Sequence, residues 1–296
     1  MQSCSGRVAN RINRTDAPAP GAVGLRGEPP PTMAPMAGYA DLTNGSVWYD
    51  ERGGGEPLVL LHGGAIDSRF FEHNVGPLSE RFRVITTDLW GHGRTADREG
   101  PFSFESFATD VAELIEQVVG GPAHVLGHSI GAEVALVLAL RRPDLMWRLV
   151  NMSGGLNIHP EFGTEGGVSD EQVEQTVAFL GSRYGEVSPD GEDHFRVVVR
   201  KDFELSANEP TPTAEDVAVI TARTLVMASD DDIVPLENFI ALYRAIPNAE
   251  LAIVPGTSHF LLQEKPDACN AIIVDFLAND PVPTVAPIRR APAEPG

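Results

Sequence analysis

Cysteine is nearly absent, with Cys4 and Cys269 the only two in 296 residues. One lies at the start of the chain and the other near its end, so neither a disulfide framework nor a thiolate metal cluster is expected. Such usage fits a reducing compartment, and a cytoplasmic location is the expectation. Long apolar runs are also missing. The longest, Val134 to Leu140, is seven residues, whereas a bilayer span needs about 20. The first stretch carries Arg7, Arg11 and Arg14 but no apolar core of a secretory signal. Positive charge is scarce: 22 basic against 42 acidic residues leave a net charge of −20. That surface repels phosphate backbones and anionic lipid, which points to a small-molecule partner rather than nucleic acid or a membrane. Gly53-Gly54-Gly55 lacks the lysine and hydroxyl residue of a phosphate-binding loop, and no Gly-x-Gly-x-x-Gly follows the first strand. No His, Cys and carboxylate grouping has metal-ligand spacing. Neither a cofactor nor a metal is expected.

What is present is an ordinary globular balance, 42% hydrophobic and 22% charged. Residues 1–37 are rich in Pro, Ala, Gly and Arg, and residues 279–296 hold five prolines; both read as disordered tails. Between them, short apolar runs alternate with helical patterns. Leu58–Leu61, Val84–Thr87, Ala123–Leu126, Leu149–Met152, Thr224–Ala228 and Leu251–Val254 have the length and boundaries of strands buried on both faces. Gly45 to Tyr49 reads as an antiparallel edge strand. Helices are expected after Ser103, over Ile130–Arg142 up to Pro143, over Glu237–Ala245 and over Ala268–Leu277. This alternation predicts a three-layer α/β fold with a mostly parallel sheet. It divides the chain into a core of residues 38–153 and 223–278, interrupted by an insertion over 154–222 placed to cover a site at the sheet edge.

Gly127-His128-Ser129-Ile130-Gly131 lies between a strand and a helix. A tight turn there lifts a serine hydroxyl above the carboxyl edge of the sheet, and the flanking glycines are required because side chains would collide across it. The hydroxyl needs a base. Among eight histidines, His62, His92 and His128 sit in glycine-flanked turns and read as loop-shaping, while His73, His124, His159 and His194 have no distinguishing context. His259 follows a strand through Pro255-Gly256-Thr257-Ser258 and returns to the same edge. Asp230-Asp231-Asp232 directly follows another strand, giving the order serine, acid, histidine. One of the three can orient the imidazole; the others read as turn or capping residues. Gly64, in His62-Gly63-Gly64, and Ile130 are positioned to offer backbone N–H groups to an oxyanion.

Together, Leu60-Leu61-His62-Gly63-Gly64, Asp88-Leu89-Trp90-Gly91-His92-Gly93-Arg94, the serine turn, the aspartate run and Pro255-Gly256-Thr257-Ser258-His259 resemble the α/β-hydrolase superfamily in matching order, over about residues 40 to 278. The resemblance implies an eight-stranded sheet, a helical cap inserted after the sixth strand, and a Ser-Asp-His triad. It also narrows the acid. Many members read Gly-Asp-x-Asp at this point, and counting from Ser229, which replaces the glycine, gives Asp232; counting back from Val234-Pro235 gives Asp231. Asp232 is favoured. Thr95 stands where serine is commoner, and Gly63-Gly64-Ala65 is not the triple glycine of esterases with an enlarged oxyanion loop. Dehalogenases and epoxide hydrolases of this fold generally carry aspartate where Ser129 stands.

The implied chemistry is cleavage of a carboxylic ester, thioester or lactone by Ser129, His259 and Asp232. A carbon–carbon bond hydrolase or a perhydrolase uses the same residues, and a ligand receptor that kept the fold is the alternative of a different class. Apolar residues of the insertion, Phe162, Phe179, Leu180, Phe195 and Phe203, are the candidates for either the pocket wall or the cap's own core.

Overall fold

The computed structural model describes residues 33–156 and 168–286. Eight strands form one sheet in the order β1-β2-β4-β3-β5-β6-β7-β8. Their ranges are β1 Met33–Leu42, β2 Gly45–Gly53, β3 Glu56–Leu61, β4 Phe82–Thr87, β5 Ala123–His128, β6 Met146–Met152, β7 Arg223–Ser229 and β8 Ala249–Val254. β2 pairs antiparallel with both β1 and β4, and the remaining pairings are parallel.

Alternation along the central strands builds the three layers. Val59, Leu61, Val125, Leu149 and Val226 point to one face, where they pack with α2 (Phe104–Leu114), α3 (Ile130–Arg141) and α7 (Leu236–Ala245). Leu58, Leu60, Leu126, Val150 and Met227 point to the other, with α1 (Val75–Ser79), α8 (Leu261–Glu264) and α9 (Pro266–Ala278). A strand covered on both sides has no solvent face, which is why these segments read as continuous apolar runs. Helix α2 begins where Ser103 accepts the N–H of Ser106. Helix α3 is apolar nearly all round because it is packed between the sheet and α2.

The first strand departs from the sequence reading. Residues 33–37, assigned to a disordered leader, begin β1, and the rest of that expectation lies outside the described residues. Gly45–Tyr49 is not the edge: β2 is flanked by β1 and β4, and β1 occupies the edge. Pro35 falls within the register irregularity between Met33 and Met36, where a missing N–H is tolerated. Of the tail, residues 279–286 hold no helix or strand, and 287–296 lie outside the described residues.

Between β6 and β7 the chain leaves the sheet to form the cap. Its described helices are α4 (Asp170–Gly185), α5 (Phe195–Asn208) and α6 (Ala214–Val217). Capping boxes start two of them, Ser169 with Gln172 and Thr213 with Asp216. Phe195 stacks near Tyr184, with ring centroids 4.8 Å apart, and is buried. It therefore belongs to the cap's core rather than a pocket wall.

Candidate active site

Strand β5 lies between β3 and β6, so the turn that follows it is at the centre of the sheet. Ser129 takes φ 54° and ψ −121° there, a conformation costly for a residue with a Cβ and retained at functional sites. The backbone holds it: the Ser129 N–H donates to the Met152 carbonyl at 2.9 Å. A Cβ on Gly127 would run into the backbone of Gly131, and one on Gly131 into the carbonyls of Leu61 and His62. The two glycines thus allow α3 to start against the sheet.

Strands β7 and β8 are neighbours, and Ser229 pairs with Val254 at their carboxyl ends. Their loops therefore rise side by side, and they bring His259 Nδ1 to 2.7 Å from Asp232 Oδ1. The other carboxylate oxygen accepts hydroxyls from Ser153 and Ser229, each at 2.8 Å, while the Val234 N–H donates to Oδ1 at 3.1 Å. Burial pushes this carboxyl up, but the hydrogen bond and charge of His259, the Val234 N–H and the Ser153 hydroxyl outweigh it and hold it at about 2. The carboxylate is ionised at neutral pH, so Nδ1 must donate, leaving Nε2 as the basic nitrogen. The neighbouring aspartates do other work. Asp230 accepts the N–H groups of Gly256 and Thr257, tying the two loops together. Asp231 is exposed and contributes its backbone N–H to the Thr257 carbonyl.

Gly64, Ser129, Ile130 and His259 line one cavity of about 390 Å³. Ile130 is the first residue of α3, so its N–H has no intrahelical acceptor and carries the positive end of the helix dipole. Cap residues Phe179, Leu180, Val199 and Phe203 close the cavity from above. Of the apolar cap candidates, Phe179, Leu180 and Phe203 are in its wall; Phe162 lies outside the described residues.

A family model described as the alpha/beta hydrolase family matches residues 58–272. This chain belongs to the alpha/beta hydrolase family. Among its relatives, 2-(acetamidomethylene)succinate hydrolase of Mesorhizobium japonicum is 25% identical over 256 residues, 77% of this chain and 90% of that protein. A 2-hydroxy-6-oxononadienedioate/2-hydroxy-6-oxononatrienedioate hydrolase of Cupriavidus pinatubonensis is 29% identical over 258 residues, 78% of this chain and 89% of that one. The enol-lactonase structure from Burkholderia xenovorans shares the fold, with TM-score 0.66 and 22% identity over 82% of this chain and 100% of that one.

The hydrolase's remaining turn histidines shape loops. His62 bonds the Gly63 carbonyl and accepts the Leu89 N–H, joining the loops after β3 and β4. His128 donates to the His259 carbonyl at 2.8 Å and stacks on Phe70. Burial, then the neighbouring His259, drives the His128 pKa down to about 3, so this imidazole stays neutral. Thr95 joins two elements: its hydroxyl donates to the Asp88 carbonyl and accepts the Trp48 N–H.

Three residues were missed by sequence reasoning. Ser153, at φ 50° just past β6, supplies a hydroxyl to Asp232. Asp202, on cap helix α5, accepts the Ala65 N–H at 2.8 Å and bonds His92 Nε2 at 3.0 Å. Burial lowers the His92 pKa, but the charge and hydrogen bond of Asp202 more than reverse this and raise it. Glu133, one turn after Ser129, is 1% exposed. Its Oε1 accepts the Gly155 N–H at 3.0 Å, and burial pushes its pKa up to about 8. Only Glu133 carried a local signal, a carboxylate inside an otherwise apolar helix.

Proposed function

We propose that this protein is a serine hydrolase that cleaves a small-molecule carboxylic ester, thioester or lactone through an acyl-enzyme on Ser129. The observation that carries this reading is the His259–Asp232 hydrogen bond of 2.7 Å behind a cavity that Ser129 and His259 share. Ser129 Oγ attacks the carbonyl carbon while His259 Nε2 takes its proton, and Asp232 stabilises the imidazolium. The N–H groups of Gly64 and Ile130 donate to the developing oxyanion. The tetrahedral intermediate collapses with the proton passing from His259 to the leaving oxygen or sulfur. A water molecule then gives its proton to His259 and attacks the acyl-enzyme, releasing the acid and restoring the Ser129 hydroxyl. These steps need nothing beyond the side chains, two backbone amides and water.

The test is covalent. An alkyl fluorophosphonate should add one phosphonyl group to Ser129, read by peptide mass spectrometry, and S129A should remain unlabelled. Absence of label on the wild-type chain overturns the reading and favours a ligand-binding role. A second reading has support from the relatives, since one is named for a 2-hydroxy-6-oxononadienedioate substrate. In that case the same residues would cleave a carbon–carbon bond. Turnover of a 2-hydroxy-6-oxo-dienoate exceeding that of aryl esters and lactones would transfer the assignment to it.

A further inference from the structure

We infer that the substrate portion held beside Ser129 is uncharged, an apolar acyl ester or a lactone rather than a half-ester of a dicarboxylic acid. This rests on the serine-hydrolase reading and adds a substrate class to it.

The chamber wall is made largely of aromatic and aliphatic side chains, among them Phe104, Phe179, Val199, Phe203 and Val234. Among the described residues, its ionisable side chains are Glu133, Asp202 and His259, and no lysine or arginine lines it. Each ionisable group already has a partner or has lost its charge. Asp202 is balanced by His92 and the Ala65 N–H. His259 is held to Asp232. Glu133, pushed up to about 8 by burial, is neutral at pH 7.

A carboxylate entering this chamber would exchange its hydration for a wall whose other polar side chains, Ser153, Gln175, Thr176, Ser206 and Thr211, are neutral and which offers no Lys or Arg counter-ion among the described residues, which is strongly unfavourable. It would also sit near the oxyanion that forms during the reaction, adding like-charge repulsion. The adjoining cavity, about 490 Å³, shares Ala65, Phe179, Leu180 and Phe260 with the first and does contain one cation, Arg183. That side chain is 45% exposed, its guanidinium stands 3.8 Å from Glu72, and it lines a space also lined by Asp67 and Glu264. It offers no unopposed positive charge to a second carboxylate. The relatives are named for a succinate and a dienedioate, so this chain's chamber separates it from those dianionic substrate classes.

The experiment compares two substrates of matched chain length, 4-nitrophenyl butyrate and mono-4-nitrophenyl succinate, on the full-length protein at pH 7. The expected kcat/KM ratio favours butyrate by about 100-fold, the scale of an unpaired buried charge. F179R, which places a cation at an exposed position of the wall, should move the ratio toward succinate by about tenfold. R183Q should leave the ratio within about threefold. Equal or better use of the succinate ester overturns the inference, as does a succinate preference abolished in R183Q or a ratio unmoved by F179R. Fluorophosphonate labelling of Ser129 with an inverted preference defeats this inference alone. No labelling and no turnover of either ester defeats the serine-hydrolase reading and this inference with it.

Discussion

Asp232 is held by three donors besides the imidazole, and that arrangement predicts how unequal three adjacent aspartates are. D232N should keep the shape of the site but leave His259 without the anion that fixes its tautomer, lowering kcat by about 10³- to 10⁴-fold. D231N alters an exposed side chain and should change unfolding free energy by no more than about 0.5 kcal/mol, with kcat nearly unchanged. Steady-state kinetics on the two variants decides between them, and a larger loss at Asp231 would contradict the observed bond. S153A removes one of two hydroxyls on the same carboxylate oxygen and should cost about 1 kcal/mol of transition-state stabilisation, near fivefold in kcat/KM. Ser129, His259 and the aspartate run were legible because each follows a strand in a short loop. The register within Asp230–Asp232 was not, because adjacent side chains differ in direction and nothing in three identical residues records it. Ser153 left no trace, since its role comes from a backbone twist that places it across from a residue 79 positions away.

At the scale of elements, the strands of the parallel sheet were readable wherever both faces are covered, since burial writes itself as an apolar run. The first strand was not, because an edge strand needs little apolar content and its first residues share the Pro-, Ala- and Gly-rich composition that reads as a disordered leader. The cap helices were blurred for a related reason: much of their surface faces solvent, so their apolar stripes are narrow. Helix α3 shows the opposite case, a strong apolar signal containing one misfit. Glu133 is protonated in the folded protein up to about pH 8, whereas an unfolded glutamate ionises near 4.5. Between those values the unfolded chain binds fewer protons, so this residue lowers stability as pH rises, by about 1.4 kcal/mol per pH unit. E133Q cannot ionise and keeps a carbonyl for the Gly155 N–H. Its unfolding free energy relative to wild type should therefore climb steadily from pH 5 to pH 7.5 in urea titrations. A flat difference would mean that Glu133 is ionised in the fold.

For the whole molecule, one of the contacts that join the cap to the loops above the sheet is a buried carboxylate. Asp202 belongs to α5, yet its Oδ2 holds the Ala65 N–H of the loop that carries Gly64, and Ala65 itself has φ 57°. The side chain also packs where a Cβ on Gly64 would stand, with Asp202 Cγ at 3.1 Å. The same oxygen bonds His92 at 3.0 Å, from the loop after β4. No sequence pattern could announce this, because the partners are 137 and 110 positions away. D202A should release the Gly64 loop and lower kcat, with about 10²-fold as the scale for losing one oxyanion donor. D202N retains an acceptor for the Ala65 N–H and should recover most of that loss. The two variants differ from wild type in another readable way. His92 has a folded pKa raised above 6.5, so its pairing with Asp202 adds stability that is complete below pH 6.5 and lost as pH rises through the raised value. The stability gap between wild type and D202N should consequently be widest near pH 6 and close toward pH 9, followed by urea unfolding at each pH. A gap that widens with pH would show that the contact acts through the neutral imidazole, and that the cap is fastened to the Gly64 loop by a hydrogen bond without an ion pair.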